Sequence, residues 1–265
     1  MKNKMLMQIT NAVRMVTMLS VIFLTGCESS SSTMTSTPPV ALTIPGIILY
    51  YPFNGNARDM GENHVDGDVH GASPTIDRFG IANHAYYFDG VDDSIYFDAS
   101  TMPLGSSART ISAWVRADSF PPAPENFQAL GSRATVVGWG KDEDRQLSEM
   151  QIFESKLLFH VFNADTVSMN SIELGKWHHL VIIYTGQKVI FYNNGEKEEY
   201  EASELLTQRG KGRIGAFSDP TVESPLFPNG YDLSYFHGVI DDISIFNRAL
   251  THDQVMSLYH EGDWE

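Results

Sequence analysis

The sequence predicts an all-β sandwich closed by one short C-terminal helix, and three observations carry that expectation. Its apolar segments are short and rich in aromatic and β-branched residues; Gly, Asn, Asp and Pro interrupt them at intervals of roughly ten residues; and many alternate with period two. In Thr110–Val115 (TISAWV), Ile111, Ala113 and Val115 share one face, and Thr110, Ser112 and Trp114 the other.

The chain does not begin with that fold. Lys2, Lys4 and Arg14 precede the apolar run 15–24 (MVTMLSVIFL), which is too short for a comfortable membrane span and leads into Leu24-Thr25-Gly26-Cys27. This pattern resembles the bacterial lipobox, so residues 1–26 are expected to be a signal peptide and Cys27 the lipidated first residue of the mature chain. Cys27 is also the single cysteine, which leaves no thiol for a disulfide. Acyl chains on Cys27 would tether the protein to a bilayer, and Glu28 at the next position leans towards the outer membrane of a bacterial envelope. Residues 27–45 are Ser/Thr/Pro-rich at their start (ESSSSTMTSTPP) and read as a flexible tether with a reach of roughly 23 Å. Residues 46–265 then form one domain, of ordinary size for a large sandwich.

Charge narrows the partners. The whole chain carries a net −15, and removing the three cations of the targeting segment gives −15 − 3 = −18. Such a surface argues against nucleic acid and against anionic lipid bound through general electrostatics, and is favourable ground for divalent cations.

Within the domain, strands are predicted at 47–53, 84–89, 93–98, 109–117, 134–140, 147–153, 156–162, 177–185, 188–193, 212–217 and 235–246. Asn194-Gly195, between VIFY and a charged return strand, predicts a two-residue type I′ hairpin, whose two central residues need positive φ. Thr251-His252-Asp253-Gln254 reads as a capping box, followed by Val255, Leu258 and Tyr259 at helical spacing, and this helix is expected to pack one end of the sandwich.

Five landmarks in order resemble the laminin-G-like members of the concanavalin A-like jelly-roll superfamily over residues 48–260. They are residues 49–59 (LYYPFNGNARD), 85–95 (AYYFDGVDDSI), 110–115 (TISAWV), 175–181 (GKWHHLV) and 236–250 (FHGVIDDISIFNRAL). After Asp59 the chain departs from the family's usual S-S-G-N-G-N-H-G, reading Met60-Gly61-Glu62-Asn63-His64-Val65-Asp66-Gly67. The resemblance implies that the first and last strands lie side by side with Ca²⁺ between them.

That implication meets an anomaly in the last strand. Strict alternation puts Asp241 in one row with Val239, Ile243 and Ile245, and a buried carboxylate needs a partner. The expected partner is Ca²⁺, held by Asn54, Asp59, the Gly61 carbonyl and Asp241, with Asn56 in reserve; the competing reading gives Asp241 an arginine such as Arg58 or Arg248, or backbone N–H groups. Asp89, Asp92 and Asp93 form a second acidic group, in a turn that Asx hydrogen bonds explain as well as a cation does.

Catalysis has one candidate. EMQIFE (149–154) places Glu149 and Glu154 as in the E-x-D-x-x-E strand of laminarinase-type hydrolases, where two carboxyls stand about 5 Å apart. Gln151 replaces the central aspartate, alternation sends the two glutamates to opposite faces, and Glu154 falls where the hairpin should turn. His178 and His179 point to opposite faces of one strand and cannot chelate together, and Trp114 and Trp177 read as packing residues. Ligand contacts are expected from the loops 118–133 and 218–235, the second offering Phe227, Tyr231 and Tyr235 for stacking on sugar rings. The sequence therefore favours a non-catalytic, calcium-stabilised, lipid-anchored module for a glycan or protein ligand. Its rivals are a polysaccharide-degrading enzyme using paired carboxylates and a structural envelope protein.

Overall fold

A computed structural model describes residues 38–120, 132–217 and 234–261, all within the unit Pro38–Glu265. Fifteen strands and two α-helices follow one another among them. They are α1 (Val40–Thr43), β1 (Ile47–Tyr51), β2 (Asp68–His70), β3 (Ser73–Thr75), β4 (Ala85–Asp89), β5 (Ser94–Phe97), β6 (Arg109–Ser119), β7 (Arg133–Gly140) and β8 (Leu147–Phe153). The remainder are β9 (Lys156–His160), β10 (Thr166–Ser171), β11 (Trp177–Tyr184), β12 (Lys188–Asn193), β13 (Glu196–Glu201), β14 (Lys211–Ile214), β15 (His237–Phe246) and α2 (His252–Tyr259).

The strands form two antiparallel sheets. The eight-stranded sheet runs β13-β12-β11-β6-β15-β4-β3, with β1 also paired to β15, and the seven-stranded sheet runs β10-β9-β8-β7-β14-β5-β2. Between them lies the main core, which includes Tyr51, Phe53, Phe88, Trp139, Phe159 and Ile240. The alternation read from Thr110–Val115 holds: Ile111, Ala113 and Val115 enter this core.

A second apolar cluster lies on the outer face of the eight-stranded sheet. Tyr50, Val181, Ile183, Tyr192 and Phe246 are covered there by Ala41 and Ile44 from the α1 segment and by Val255 and Leu258 of α2. Full burial of residues of this size stabilises by about 1.5–3 kcal/mol each. Thr251 caps α2 through the expected capping box with Gln254. The helix therefore lies across a sheet face rather than at the sandwich end. Residues 40–44 pack on this cluster, and Val40 N–H donates to Glu261 Oε1 (2.6 Å).

One irregularity positions the polar chemistry. Along one edge β15 is shared, its first half pairing with β4 (Ile240↔Tyr86) and its second with β1 (Ile243↔Tyr51). At the seam a bulge intervenes between Asp241 and Ser244 in the register with β6, and Asp242 takes a φ of 45°. The extra residue flips the alternation: Ile240 and Ile243 both enter the main core, while Asp241, opposite Trp114, faces outward under α2. The row of Val239, Asp241, Ile243 and Ile245 expected from strict alternation does not exist.

Candidate functional site

The first and last strands do run side by side, with Tyr50 opposite Ser244 and Tyr51 opposite Ile243. The expected cation ligands nevertheless find protein partners. Asp59 Oδ1 accepts N–H bonds from Tyr50 (2.8 Å) and Gly61 (2.7 Å), and its Oδ2 accepts one from Val65 (2.9 Å). With Met60 N–H bonded to Tyr50 O, this covers the edge of β1. Asn54 is exposed at the loop tip, where its carbonyl accepts from Asn56 Nδ2.

Asp241 pairs with an arginine, though with neither of those considered. Arg78, from the β3–β4 loop, places Nη1 2.6 Å from Asp241 Oδ2 and 2.5 Å from Asp242 Oδ2. Asp241 Oδ1 accepts the N–H of Asp242, and the Tyr50 hydroxyl donates to Asp242 Oδ1. The guanidinium lies 4.4 Å from the Phe79 ring and 4.8 Å from the Trp114 ring, and Tyr259 of α2 stacks on Trp114. Burial and the neighbouring Asp242 push the Asp241 carboxyl well above its usual range, against the pull of Arg78. A cation at Asp241 would have to displace Arg78, and one at Asp59 would have to share oxygens already taken by three N–H groups. Asn54, Asp59, Gly61 and Asp241 in this arrangement do not fit Ca²⁺.

The second acidic group is closer to a metal-capable shape, with ligand atoms of Asp89, Asp92 and Asp93 all within 4.8 Å of one another. The Asx bonds expected for the turn are also there: Asp89 Oδ1 accepts from Val91 and Asp92, and Asp93 Oδ2 accepts from Asp89. His178 and His179 lie on opposite faces. His178 Nε2 accepts from Glu173 N–H, and His179 Nε2 lies 2.8 Å from Ser112 Oγ.

Glu149 and Glu154 are separated by the strand geometry. β8 pairs with β9 without a bulge, from Glu149↔His160 to Phe153↔Lys156. Glu154 and Ser155 form the turn itself, with φ of 46° and 67°. Glu149 alone lies on the outer face of the seven-stranded sheet.

On that face the register builds one rung across six strands: His160 on β9, Glu149 on β8, Gly138 on β7, Arg213 on β14, Tyr96 on β5 and Asp68 on β2. The Glu149 side chain lies over Gly138, where an added Cβ would stand 2.3 Å from Glu149 Cγ. Gln151 Nε2 donates to Glu149 Oε2 (2.7 Å) and to Thr135 Oγ1 (3.1 Å), and Thr135 donates to Ser234 Oγ. Glu149 is fully buried, with 0% exposure, whereas Tyr96, His160 and Tyr235 are half-exposed at the margin. Tyr235 reaches this rung from the end of its loop, its ring 5.5 Å from the Arg213 guanidinium. Phe227, Tyr231 and Cys27 lie outside the described residues.

Sequence reasoning named Glu149 and Tyr235 but missed Arg213, Tyr96 and Arg78. The strand 133–140 (RATVVGWG) did carry a signal, since glycine inside a strand marks a close approach of another group. For Arg213 and Arg78 there was none, because each is defined by strands distant in sequence.

Two antiparallel sheets with a polar and aromatic rung on one outer face define a lectin- or glucanase-type sandwich. The profile of the concanavalin A-like lectin/glucanases superfamily matches residues 89–256, more than half of the chain, and the protein belongs to that superfamily. Among solved structures the chain is similar to domain 4 of AbnA, a GH43 extracellular arabinanase from Geobacillus stearothermophilus, in complex with arabinotriose; the TM-score is 0.60 at 18% identity, covering 80% of this chain and 98% of that one. It is also similar to the binding domain of Paraclostridial Mosquitocidal Protein 1 (TM-score 0.58, 17% identity, 81% of this chain and 52% of that one). A third is the botulinum neurotoxin serotype D ligand-binding domain in complex with N-acetylneuraminic acid (TM-score 0.55, 13% identity, 84% and 52%). The chain thus spans about half the length of the toxin domains it matches. At these identities the likeness is one of fold. None of the curated proteins compared with the chain matches it.

Proposed function

We propose that the chain is a lipid-anchored recognition module of the bacterial envelope, assigned to the outer membrane by Glu28, that binds glycans through the outer face of the seven-stranded sheet without cleaving them. The observation that carries this reading is the rung from His160 to Tyr96, with Tyr235 at its margin. It offers hydrogen-bonding groups and aromatic rings together, which is what sugar rings and hydroxyls require. The superfamily membership supports it, as do the arabinotriose and N-acetylneuraminic acid bound by two proteins of similar fold. Binding without cleavage is favoured by the placement of Glu154 in the β8–β9 turn, which separates it from Glu149 on the sheet face and breaks the carboxylate pair read from EMQIFE.

A glycan array probed with the full chain tests the reading. Retention of a glycan unchanged over hours supports recognition; release of shortened products that stops in Glu149→Gln assigns an enzyme instead; retention of none supports the structural envelope protein. The anchor is tested separately. Cys27→Ser moves the protein from the membrane fraction to the soluble fraction, and a variant that stays with the membrane removes the lipoprotein reading.

A further inference from the structure

Three arginines are buried among the described residues, and they differ in how their charge is met. Arg78 has Asp241 and Asp242. Arg109 is held by oxygens on every nitrogen: Ser107 O on Nε, Pro103 O and Thr207 Oγ1 on Nη1, and Gly105 O and Ser107 O on Nη2. Arg213, only 6% exposed, has neither arrangement. Its Nη1 donates to Phe217 O at 3.1 Å, and its Nη2 makes two long bonds to hydroxyls, Ser94 Oγ at 3.3 Å and Tyr235 Oη at 3.4 Å. Its Nε is buried without a hydrogen-bond partner. No carboxylate among the described residues stands within ion-pair distance of it.

Two tyrosine rings lie beside Arg213. The guanidinium carbon lies 4.8 Å from the Tyr96 ring and 5.5 Å from the Tyr235 ring. Both rings are half-exposed while the guanidinium between Gly138 and Tyr96 is buried, so a ligand would reach the cation by passing between the two rings. A guanidinium offers paired N–H groups along its Nε–Nη2 edge, and that edge is the one with no partner on Nε and only long bonds on Nη2. A carboxylate accepts such a pair side by side, whereas a neutral hydroxyl accepts only one of them. Burying a charge without an opposite one is costly, so an anion arriving here meets an existing deficit.

We infer that Arg213 is the anchor for the carboxylate of an acidic saccharide, a uronate or a sialic acid, with Tyr96 and Tyr235 flanking the sugar that carries it. This rests on the glycan-recognition reading and narrows it to a ligand class. The chain's net charge of −15 disfavours polyanions at long range, so selectivity would come from this one buried cation and not from a basic surface.

The test uses the full chain and paired probes differing in the carboxylate: sialyllactose against lactose, and tetragalacturonate against its methyl ester, with dextran sulfate to distinguish a carboxylate from any anion. The wild type is expected to bind a carboxylated probe at least tenfold more tightly than its neutral counterpart. Arg213→Met removes that preference, and Arg213→Lys, which keeps the charge but not the planar pair of donors, weakens it at least fivefold. Arg213→Lys carries the test should Arg213→Met fail to fold. Equal affinity for charged and neutral partners, a preference that survives in both variants, or dextran sulfate binding as well as tetragalacturonate overturns the inference and leaves glycan recognition standing. Binding of no glycan, neutral or acidic, removes both.

Discussion

Arg78 Nη1 stands 2.6 Å from Asp241 Oδ2, and each side chain keeps only 2% of its exposure. The two residues are 163 apart in sequence and meet where β15 passes from one edge partner, β4, to the next, β1. The pair fills the seam that the bulge opens. A buried ion pair adds little over an apolar filling of the same shape, but losing one member leaves the other charge stranded.

Arg78→Met is therefore expected to destabilise the fold by about 3–5 kcal/mol in urea unfolding, since it strands Asp241 and weakens the support of Asp242. Adding Asp241→Leu should recover at least half of that loss, because Asp242 keeps its bond from the Tyr50 hydroxyl. A double variant no more stable than Arg78→Met would show that the seam needs the charges themselves.

Chelation should leave the fold untouched. Asp59 takes three backbone N–H groups and Asp241 an arginine, so neither carboxylate depends on a cation for its partners. The melting temperature in EDTA is expected to equal that in millimolar Ca²⁺ within about 1 °C, at most about 0.5 kcal/mol for a domain of this size. A larger fall in EDTA would mean that Ca²⁺ is part of the native structure, with Asp89, Asp92 and Asp93 the first residues to substitute.

The pH dependence has a specific source in His179. Complete burial, and secondarily the nearby Arg78 charge, lower its pKa from 6.5 to about 3. The folded state thus holds a neutral imidazole that the unfolded chain protonates below about pH 6.5. Stability from this residue is fully present above pH 6.5 and is lost as pH falls towards 3, at about 1.4 kcal/mol per unit. By pH 4.5 the loss is about 2–3 kcal/mol. Asp241 acts with the opposite sign, its raised pKa favouring folding at low pH, so the wild-type curve alone mixes the two. The readout is the difference between wild type and His179→Gln, which should shrink by that amount between pH 7 and 4.5; a constant difference would remove His179 as the source.

Much of the architecture is legible in the sequence. The strands at 147–153 and 188–193 fall where predicted, and Asn194 and Gly195 take φ of 50° and 81°, as a type I′ turn requires. β2 and β3 escaped notice because they are three residues long and largely exposed, and β10 (TVSMNS) because its polar sequence lacks a buried stripe. The face of Asp241 was misread for a different reason. The bulge beside it arises from a change of neighbour along β15, which no local pattern in VIDDISIF records. The candidate site was legible only in part for the same cause. Glu149 and Tyr235 announce themselves by residue type, but the rung that joins Glu149 to Arg213 exists only through the pairing of β7 with both β8 and β14.

Gly138 gives that rung its most direct test. It lies between Glu149 and Arg213 in the register, and the Glu149 side chain occupies the space that a side chain at 138 would need. A Cβ there would stand 2.3 Å from Glu149 Cγ, 2.8 Å from its Cβ and 3.0 Å from its Cα, contacts that rotation of the glutamate alone does not relieve. Gly138→Ala is therefore expected to cost about 1–3 kcal/mol of stability through overpacking. It should also displace Glu149 from Gln151 and lower affinity for any glycan retained by the wild type about tenfold, equivalent to about 1.4 kcal/mol. Thr207→Ser, in the bridge to Gly105 and away from this face, serves as the control for a general loss of stability. If Gly138→Ala is destabilised but binds its glycan as the wild type does, ligand contacts lie elsewhere on the sandwich, and the outer face of the seven-stranded sheet loses its claim as the recognition surface.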